Sequence, residues 1–182
     1  MALIPILRLG HPSLRTPAQP VPRERIAETE FQTLIDDMAE SMRDEHGVGL
    51  AAPQVGVPMQ LFIYEAAGPP EIPLSVVINP LVTPQAREMS YDWEGCLSIP
   101  DLRGLVPRHP KVRVQGLDRE GRPLDFIATG FEARIVQHEY DHLNGVVFLD
   151  RMRDFKTLAF FDEWETYLMG RSQPDPDDGA AD

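Results

Sequence analysis

Apolar residues recur at helical spacing between Pro22 and His46. Phe31, Leu34, Ile35, Met38 and Met42 share one side of the helix this predicts, and Gly47 can stop it. Upstream, prolines at 12, 17, 20 and 22 break any regular period, so residues 11–22 read as an extended entry segment. Downstream the apolar runs shorten to strand length. Leu61–Tyr64 is one strand, and Leu74–Asn79 is another, stopped by Pro80. Residues 84–95 are polar and irregular. Val112–Leu117 and Pro123–Ala128 flank Asp118-Arg-Glu-Gly-Arg122, which reads as a hairpin.

The helical period returns from Phe131 to Asn144, with Gly145 as its stop signal. Ile135, Val136, Leu143 and the nonpolar part of Tyr140 can pack this helix inward. Val146–Leu149 is a short strand candidate. A last helix is predicted from about Asp154 to Met169, with Leu158, Phe161, Trp164 and Leu168 along one side. Strands dominate the middle and do not alternate with helices. The expected fold is therefore α+β, with mixed or antiparallel sheets around a central helix and further helices near the N- and C-termini.

Composition narrows the function. At 182 residues, 42% of them hydrophobic, the chain suits one domain with a real core. A net charge of −12 disfavours nucleic-acid binding, which needs a basic face, and docking on an anionic membrane. No apolar stretch approaches the roughly 20 residues of a membrane span. The apolar N-terminal run is broken by Pro5 and Arg8 and lacks a basic leader, so no signal peptide is expected and the setting reads as cytoplasmic. Residues 171–182 carry four Asp (175, 177, 178 and 182) and read as a disordered acidic tail after a single domain over residues 1–170. Cys96 is the only cysteine, which excludes an internal disulfide, a self-contained zinc finger or a redox pair. It is left as a packed side chain, a nucleophile or one soft ligand in a mixed metal site.

The sharpest chemical signal is His138-Glu139-Tyr140-Asp141-His142, an HExxH pattern on the predicted central helix. Four residues at 100° each bring the two imidazoles to about 40° of one another, one turn apart, so both can reach one ion. Glu139, beside the first ligand, is placed as general acid/base. A hydrolytic site commonly takes a third protein ligand. No further His lies downstream, and Glu163 and Glu165 sit on the predicted last helix, so Cys96 in its Gly-containing turn is the better candidate. A third segment, Gly47-Val-Gly-Leu-Ala-Ala-Pro-Gln54, reads alone as a tight helix-to-strand connection. Beside the HExxH helix, its glycines permit close backbone approach and Gln54 offers an amide donor for a developing oxyanion.

Taken in order, Gly47–Gln54, Glu94-Gly-Cys-Leu-Ser98 and Gln137–Leu143 closely resemble the three signature motifs of the peptide deformylases, type I-like, over roughly residues 5–170. The resemblance implies removal of the N-formyl group from the initiator methionine of nascent polypeptides, releasing formate. It implies Fe²⁺ as the native ion, one per chain, with Zn²⁺, Ni²⁺ or Co²⁺ able to substitute. Cys96, His138 and His142 match the metal ligands. Glu139 matches the catalytic carboxylate that takes the proton of a metal-bound water and delivers it to the leaving amine. Gln54 and the Leu97 backbone amide match the oxyanion donors.

The backbone around Val48 and Gly49, with Gly95 opposite, matches the positions that hold an extended peptide. Phe131, Arg134, Ile135, Val48 and His138 match the methionine pocket, where the Arg134 stem can line the wall while its head reaches solvent. In the family the Asp at position 141 tends to pair with the Arg of a Val-Pro-Arg segment, here Arg108. The implied partners are N-formylmethionyl nascent peptides and, transiently, the ribosome, with no nucleic acid bound directly and no membrane. In the segment from Asp154 to Met169, however, acidic side chains outnumber the single Lys156, which argues against a basic docking helix. Two alternatives remain. One is an amidase or peptidase of the same architecture, separable by its action on acetylated peptides. The other is a catalytically silent binding relative, for which no motif residue is missing.

Overall fold

The alternation along Leu61-Phe-Ile-Tyr64 decides the architecture. Leu61 and Ile63 join one apolar cluster and Phe62 and Tyr64 another, so both faces of this strand are covered. In the computed structural model, which describes residues 2–69 and 71–169, the strand belongs to a five-stranded antiparallel sheet. Its members are β1 (Gly49–Ala51), β2 (Leu61–Ala66), β3 (Ile72–Pro84), β6 (Lys111–Leu117) and β7 (Pro123–Thr129), ordered β1-β2-β3-β6-β7. Between β3 and β6 the chain leaves to form β4 (Ser90–Cys96) and β5 (Ile99–Arg108), which pair with the two-residue β8 (Ala159–Phe160) in a second sheet ordered β4-β5-β8.

Helix α1 (Thr29–Asp44) packs Phe31, Ile35, Met38 and Met42 against the Leu61, Ile63, Val76 and Ile78 face. Helix α2 (Gly130–Leu143) covers the opposite face through Ala133, Ile135, Val136 and Leu143, against Phe62, Tyr64, Val77, Val112 and Val114. A third cluster of Cys96, Ile99, Val106, Val147, Phe148 and Met152 seats the small sheet against the chain leaving α2. Helix α2 is thereby walled in by both sheets, and nine of its fourteen residues are buried, including His138, Glu139, Asp141 and His142. The fold is α+β and antiparallel, as expected. Its one parallel element among the described residues is the isolated bridge Gln19–Met59.

Several boundaries differ from the sequence reading. The first helix does not begin near Pro22. Arg23–Ala27 forms a 3-10 turn, and extended Glu28 (ψ 136°) separates it from α1. The Gln32 side chain donates to the carbonyls of Ile26 and Arg119, holding that turn against the far hairpin. Strand β3 does not stop at Pro80. Asn79 takes a left-handed φ of 50°, the register shifts between Ile78 and Leu81, and the strand continues along β6. Residues 90–95 are not irregular but belong to β4.

The Val146–Leu149 candidate is replaced by a 3-10 turn at Phe148–Arg151, because Phe148 is drawn into the third cluster. The long last helix is also overturned. A 3-10 turn at Phe155–Thr157, the β8 pairing with Leu102 and Arg103, and the seven-residue α3 (Phe161–Tyr167) share that stretch. The predicted acidic tail, 171–182, lies outside the described residues.

Candidate metal centre

The three motifs converge where β4 ends, α2 begins its last two turns and β1 leads into a 3-10 turn at Ala52–Val55. The ligand atoms of Cys96, His138 and His142 all lie within 4.8 Å of one another, and all three side chains are buried. The Cys96 Sγ stands 3.3 Å from His142 Nε2. The two imidazoles meet edge to face, with ring centroids 5.0 Å apart, as the one-turn spacing requires.

The donor set of one thiolate and two imidazoles suits a borderline-soft divalent ion with one position left for a non-protein ligand. His138 Nδ1 faces Glu94 Oε2 at 2.9 Å. An ionised carboxylate can only accept there, so Nδ1 carries the hydrogen and the Nε2 lone pair is free for an ion. Burial depresses the pKa of both imidazoles. At His138 the Cys96 sulfur and Glu94 outweigh it and raise the pKa, so an ion bound at Nε2 would displace a proton there. At His142 burial, reinforced by His138, keeps the ring neutral as a ligand must be. His142 Nδ1 and Glu139 Oε2 are buried without a hydrogen-bond partner among the described residues.

Glu139 is 4% exposed and lines a cleft of about 530 Å³ together with Cys96 and His138. Burial pushes its pKa up to about 7, the range in which one carboxyl can both accept and return a proton at neutral pH. Its carboxyl lies against Gly49. A Cβ built on Gly49 would collide with Glu139 Oε1 and stand 2.8 Å from Cδ, so any larger residue there would have to displace the carboxyl.

Gln54 is oriented by its own backbone. The Ala51 N–H donates to Gln54 Oε1 at 2.8 Å, which forces the amide nitrogen toward Ser98 Oγ (3.2 Å) and Cys96 Sγ (3.6 Å). Leu97 follows Cys96 and packs into the α1-side core. Val48, Gly49 and Gly95 line the cleft, with Phe131, Arg134 and Ile135 on its α2 side. Val48 and Phe131 stand 40% and 44% exposed at the rim, while Ile135 is buried.

Arg134 corrects the sequence reading. Its guanidinium does not reach solvent. It turns inward, donating to Glu94 Oε1 (2.7 Å) and to the carbonyls of Val106 (2.9 Å) and Ser90 (2.7 Å). Strands β4 and β5, which the sequence did not reveal, supply these partners, and they satisfy the buried charge.

Arg108 meets Asp141 as expected, Nη1 donating to Oδ2 at 2.5 Å. Arg151 also clasps Asp141, with Nε at 3.0 Å and Nη2 at 2.6 Å. Asp141 thus turns away from the ligands, toward two arginines. The residue that sequence reasoning left without a role is Glu94. It accepts from Arg108 twice (2.9 and 3.0 Å), from Arg134 and from His138, although only 6% exposed. Burial pulls its pKa upward, but His138 and Arg108 overcome this and hold the carboxyl well below the usual range. The available signal was its position two residues before Cys96, on the side of the strand that faces the helix.

Comparison with known proteins gives one answer. Residues 3–157 match the profile of the family described as Polypeptide deformylase. "Peptide deformylase 1" of Nitrosomonas europaea is 43% identical over 164 residues, which is 87% of this chain and 92% of that one. "Peptide deformylase 2" of Pseudomonas putida is 45% identical over 161 residues, 85% of this chain and 90% of that one. Among solved structures, the class I type b peptide deformylase of Acinetobacter baumannii bound to Met-Ala-Ser superposes with a TM-score of 0.80 at 37% identity, covering 83% of this chain and 99% of that one. A peptide deformylase of Synechococcus elongatus in complex with actinonin gives 0.76 at 40% identity, covering 83% and 79%.

Proposed function

The chain belongs to the polypeptide deformylase family, and on that premise we propose that Cys96, His138 and His142 hold one divalent ion at which Glu139 drives deformylation. The family's reaction, removal of the formyl group from N-formylmethionyl nascent peptides, makes the chain an enzyme and gives the cleft its substrate. The observation that carries the site assignment is the convergence of three buried ligand atoms beside a carboxyl whose pKa burial has raised to about 7. We infer Fe²⁺ as the ion, with Zn²⁺, Ni²⁺ or Co²⁺ as substitutes. The mixed thiolate and imidazole set supports any of these over Mg²⁺ or Ca²⁺. Bound there, such an ion supplies a Lewis acid that makes water acidic enough to attack at neutral pH.

Everything else is work for the chain itself. Glu139 accepts the proton of the attacking water as its oxygen bonds to the formyl carbon. It then passes a proton to the α-amine nitrogen as the C–N bond breaks, leaving formate and a free N-terminus. The Gln54 amide N–H, aimed by Ala51, and the Leu97 backbone N–H donate to the formyl oxygen as charge builds there. β1 is an edge strand, so the backbone around Val48 and Gly49 can meet an extended substrate while Gly95 closes on its other side. Val48, Phe131 and Ile135 form the apolar wall for the methionine side chain. Arg134, with its head turned inward, contributes its stem.

Residues 1–170 act as one catalytic domain in this reading, and the reduced Cys96 ligand suits a cytoplasmic enzyme. Among the described residues no helix is long and apolar enough to cross a membrane. The test is formate release from formyl-Met peptides, with acetyl-Met peptides as control and metal content measured in parallel. Glu139→Gln should keep the ion and lose about 10²–10⁴-fold in rate. Cys96→Ser should lose ion and rate together. A Glu139→Gln protein with wild-type turnover would sink the assignment.

A further inference from the structure

Two residues of the cleft wall outside the proposed ligand set, Trp93 on β4 and Arg103 on β5, are both held from behind. The Arg103 guanidinium carbon sits 4.7 Å from the centroid of the Phe161 ring. Its other side covers Gly95, where a Cβ would collide with the guanidinium. The Trp93 ring meets Trp164 edge to face at 6.1 Å, and Trp164 in turn packs against Phe161 at 5.6 Å. Backbone pairing of Leu102 with Phe160 and of Arg103 with Ala159 fixes this segment to β5. Phe161 and Trp164 do not themselves line the cleft.

Arg103 makes no ion pair among the described residues, and its one side-chain hydrogen bond there goes from Nη1 to the Leu102 carbonyl at 2.8 Å. Donors therefore remain on a cation that borders the groove. An extended peptide offers a carbonyl about every 3.3 Å, and a guanidinium with spare N–H groups can donate to such carbonyls.

We propose that Phe161 and Trp164 are positioning residues that fix Arg103 and Trp93 as the outer wall of the cleft, and so set how strongly the enzyme holds substrate residues beyond the formylmethionine. The inference rests on the deformylase reading of the cleft. The short C-terminal stretch of β8 and α3 thereby takes part in substrate selection without touching the substrate. Selection acts on binding rather than on the chemical step, because neither residue lines the cleft that holds Glu139.

The experiment measures kcat and KM of the metal-loaded enzyme for formyl-Met-Ala and formyl-Met-Ala-Ser, with a thermal melt for each variant. Phe161→Ala and Trp164→Ala should raise KM for the tripeptide about 2- to 5-fold, the span of one cation–π or aromatic contact, with kcat unchanged and the dipeptide nearly unaffected. Trp164→Phe should restore the tripeptide KM. Phe161→Leu keeps the apolar bulk but not the ring face, and should leave it raised. Should an alanine variant fail to fold, Phe161→Leu decides alone. Equal changes on both peptides, or none, overturn the inference while the deformylase reading stands. A wild-type enzyme that releases formate from neither peptide overturns that reading instead.

Discussion

Replacing Glu94 with Gln removes one charge and almost no volume, so its effect isolates electrostatics. In the wild type, Oε1 accepts from Arg108 Nε and Arg134 Nη1, and Oε2 accepts from Arg108 Nη2 and His138 Nδ1. A glutamine has one acceptor oxygen and one donor NH₂. If the oxygen takes the Oε1 position, the NH₂ confronts His138 Nδ1 and Arg108 Nη2. His138 can answer only by moving its hydrogen to Nε2, which blocks the lone pair an ion needs. If the oxygen takes the Oε2 position, two guanidinium donors are left facing an NH₂.

Either choice forfeits two charge-assisted hydrogen bonds at about 1.5–3 kcal/mol each. Arg108 would then keep Asp141, shared with Arg151, as its one full carboxylate partner, and Arg134 would have none. The expected loss of stability in the metal-free protein is about 3–5 kcal/mol. Ion affinity should fall about 10–100-fold. Urea unfolding of the metal-free protein and ion titration check the two numbers separately.

The pH dependence supplies a third check. Glu94 is depressed in the folded protein, so its stabilisation is complete above the ordinary glutamate range and is lost as pH falls. The acid limb of the stability curve should flatten in the Gln variant. Wild-type midpoint and wild-type ion affinity in the same variant would refute the reasoning.

Three further outcomes are expected. Gly49→Ala should drive the new Cβ into the Glu139 carboxyl and displace it, costing about 10²-fold in formate release with metal content kept; a fully active variant would show that the close approach is immaterial. Asp141→Asn should lower unfolding stability by about 1–3 kcal/mol through its bonds to Arg108 and Arg151, yet retain most activity per bound ion; a stable, metal-loaded and inactive variant would assign Asp141 to the chemistry. Iron-loaded enzyme should lose formate release on standing in air while zinc-loaded enzyme keeps whatever rate it has, because zinc has no redox chemistry to offer oxygen; equal endurance would exclude iron oxidation.

The sequence disclosed what is periodic and local. The α2 helix, its paired histidines and its inward apolar positions follow from spacing alone, and the structure moves the predicted Phe131–Asn144 boundaries by one residue at each end. The β4–β5 hairpin was hidden because Pro100, Gly104 and Pro107 interrupt its alternation, and its identity as sheet depends on partners across the strand pair. The C-terminal stretch misled for the opposite reason. Leu158, Phe161, Trp164 and Leu168 fit a helical period, yet Ala159 and Phe160 gain more by pairing with β5 than by continuing a mostly exposed helix. Glu94 and Arg134 stand 40 positions apart. Nothing in a single chain announces that a buried carboxylate will collect donors from that distance, whereas the chain's own motifs did announce Cys96, His138 and His142.

The distance along the chain between the proposed ligands has a consequence for the unfolded protein. Cys96 and His142 are 46 positions apart, and β5, the β6–β7 hairpin and most of α2 lie within the interval. An ion gripping both ends closes that loop as a cross-link does. If it stayed attached during unfolding it would deny the chain loop entropy worth about 4 kcal/mol. Release of the ion and opening of the small sheet should therefore be one cooperative event. Amide hydrogens of β4 and β5 should exchange at the rate the ion departs, slowing as free metal is added.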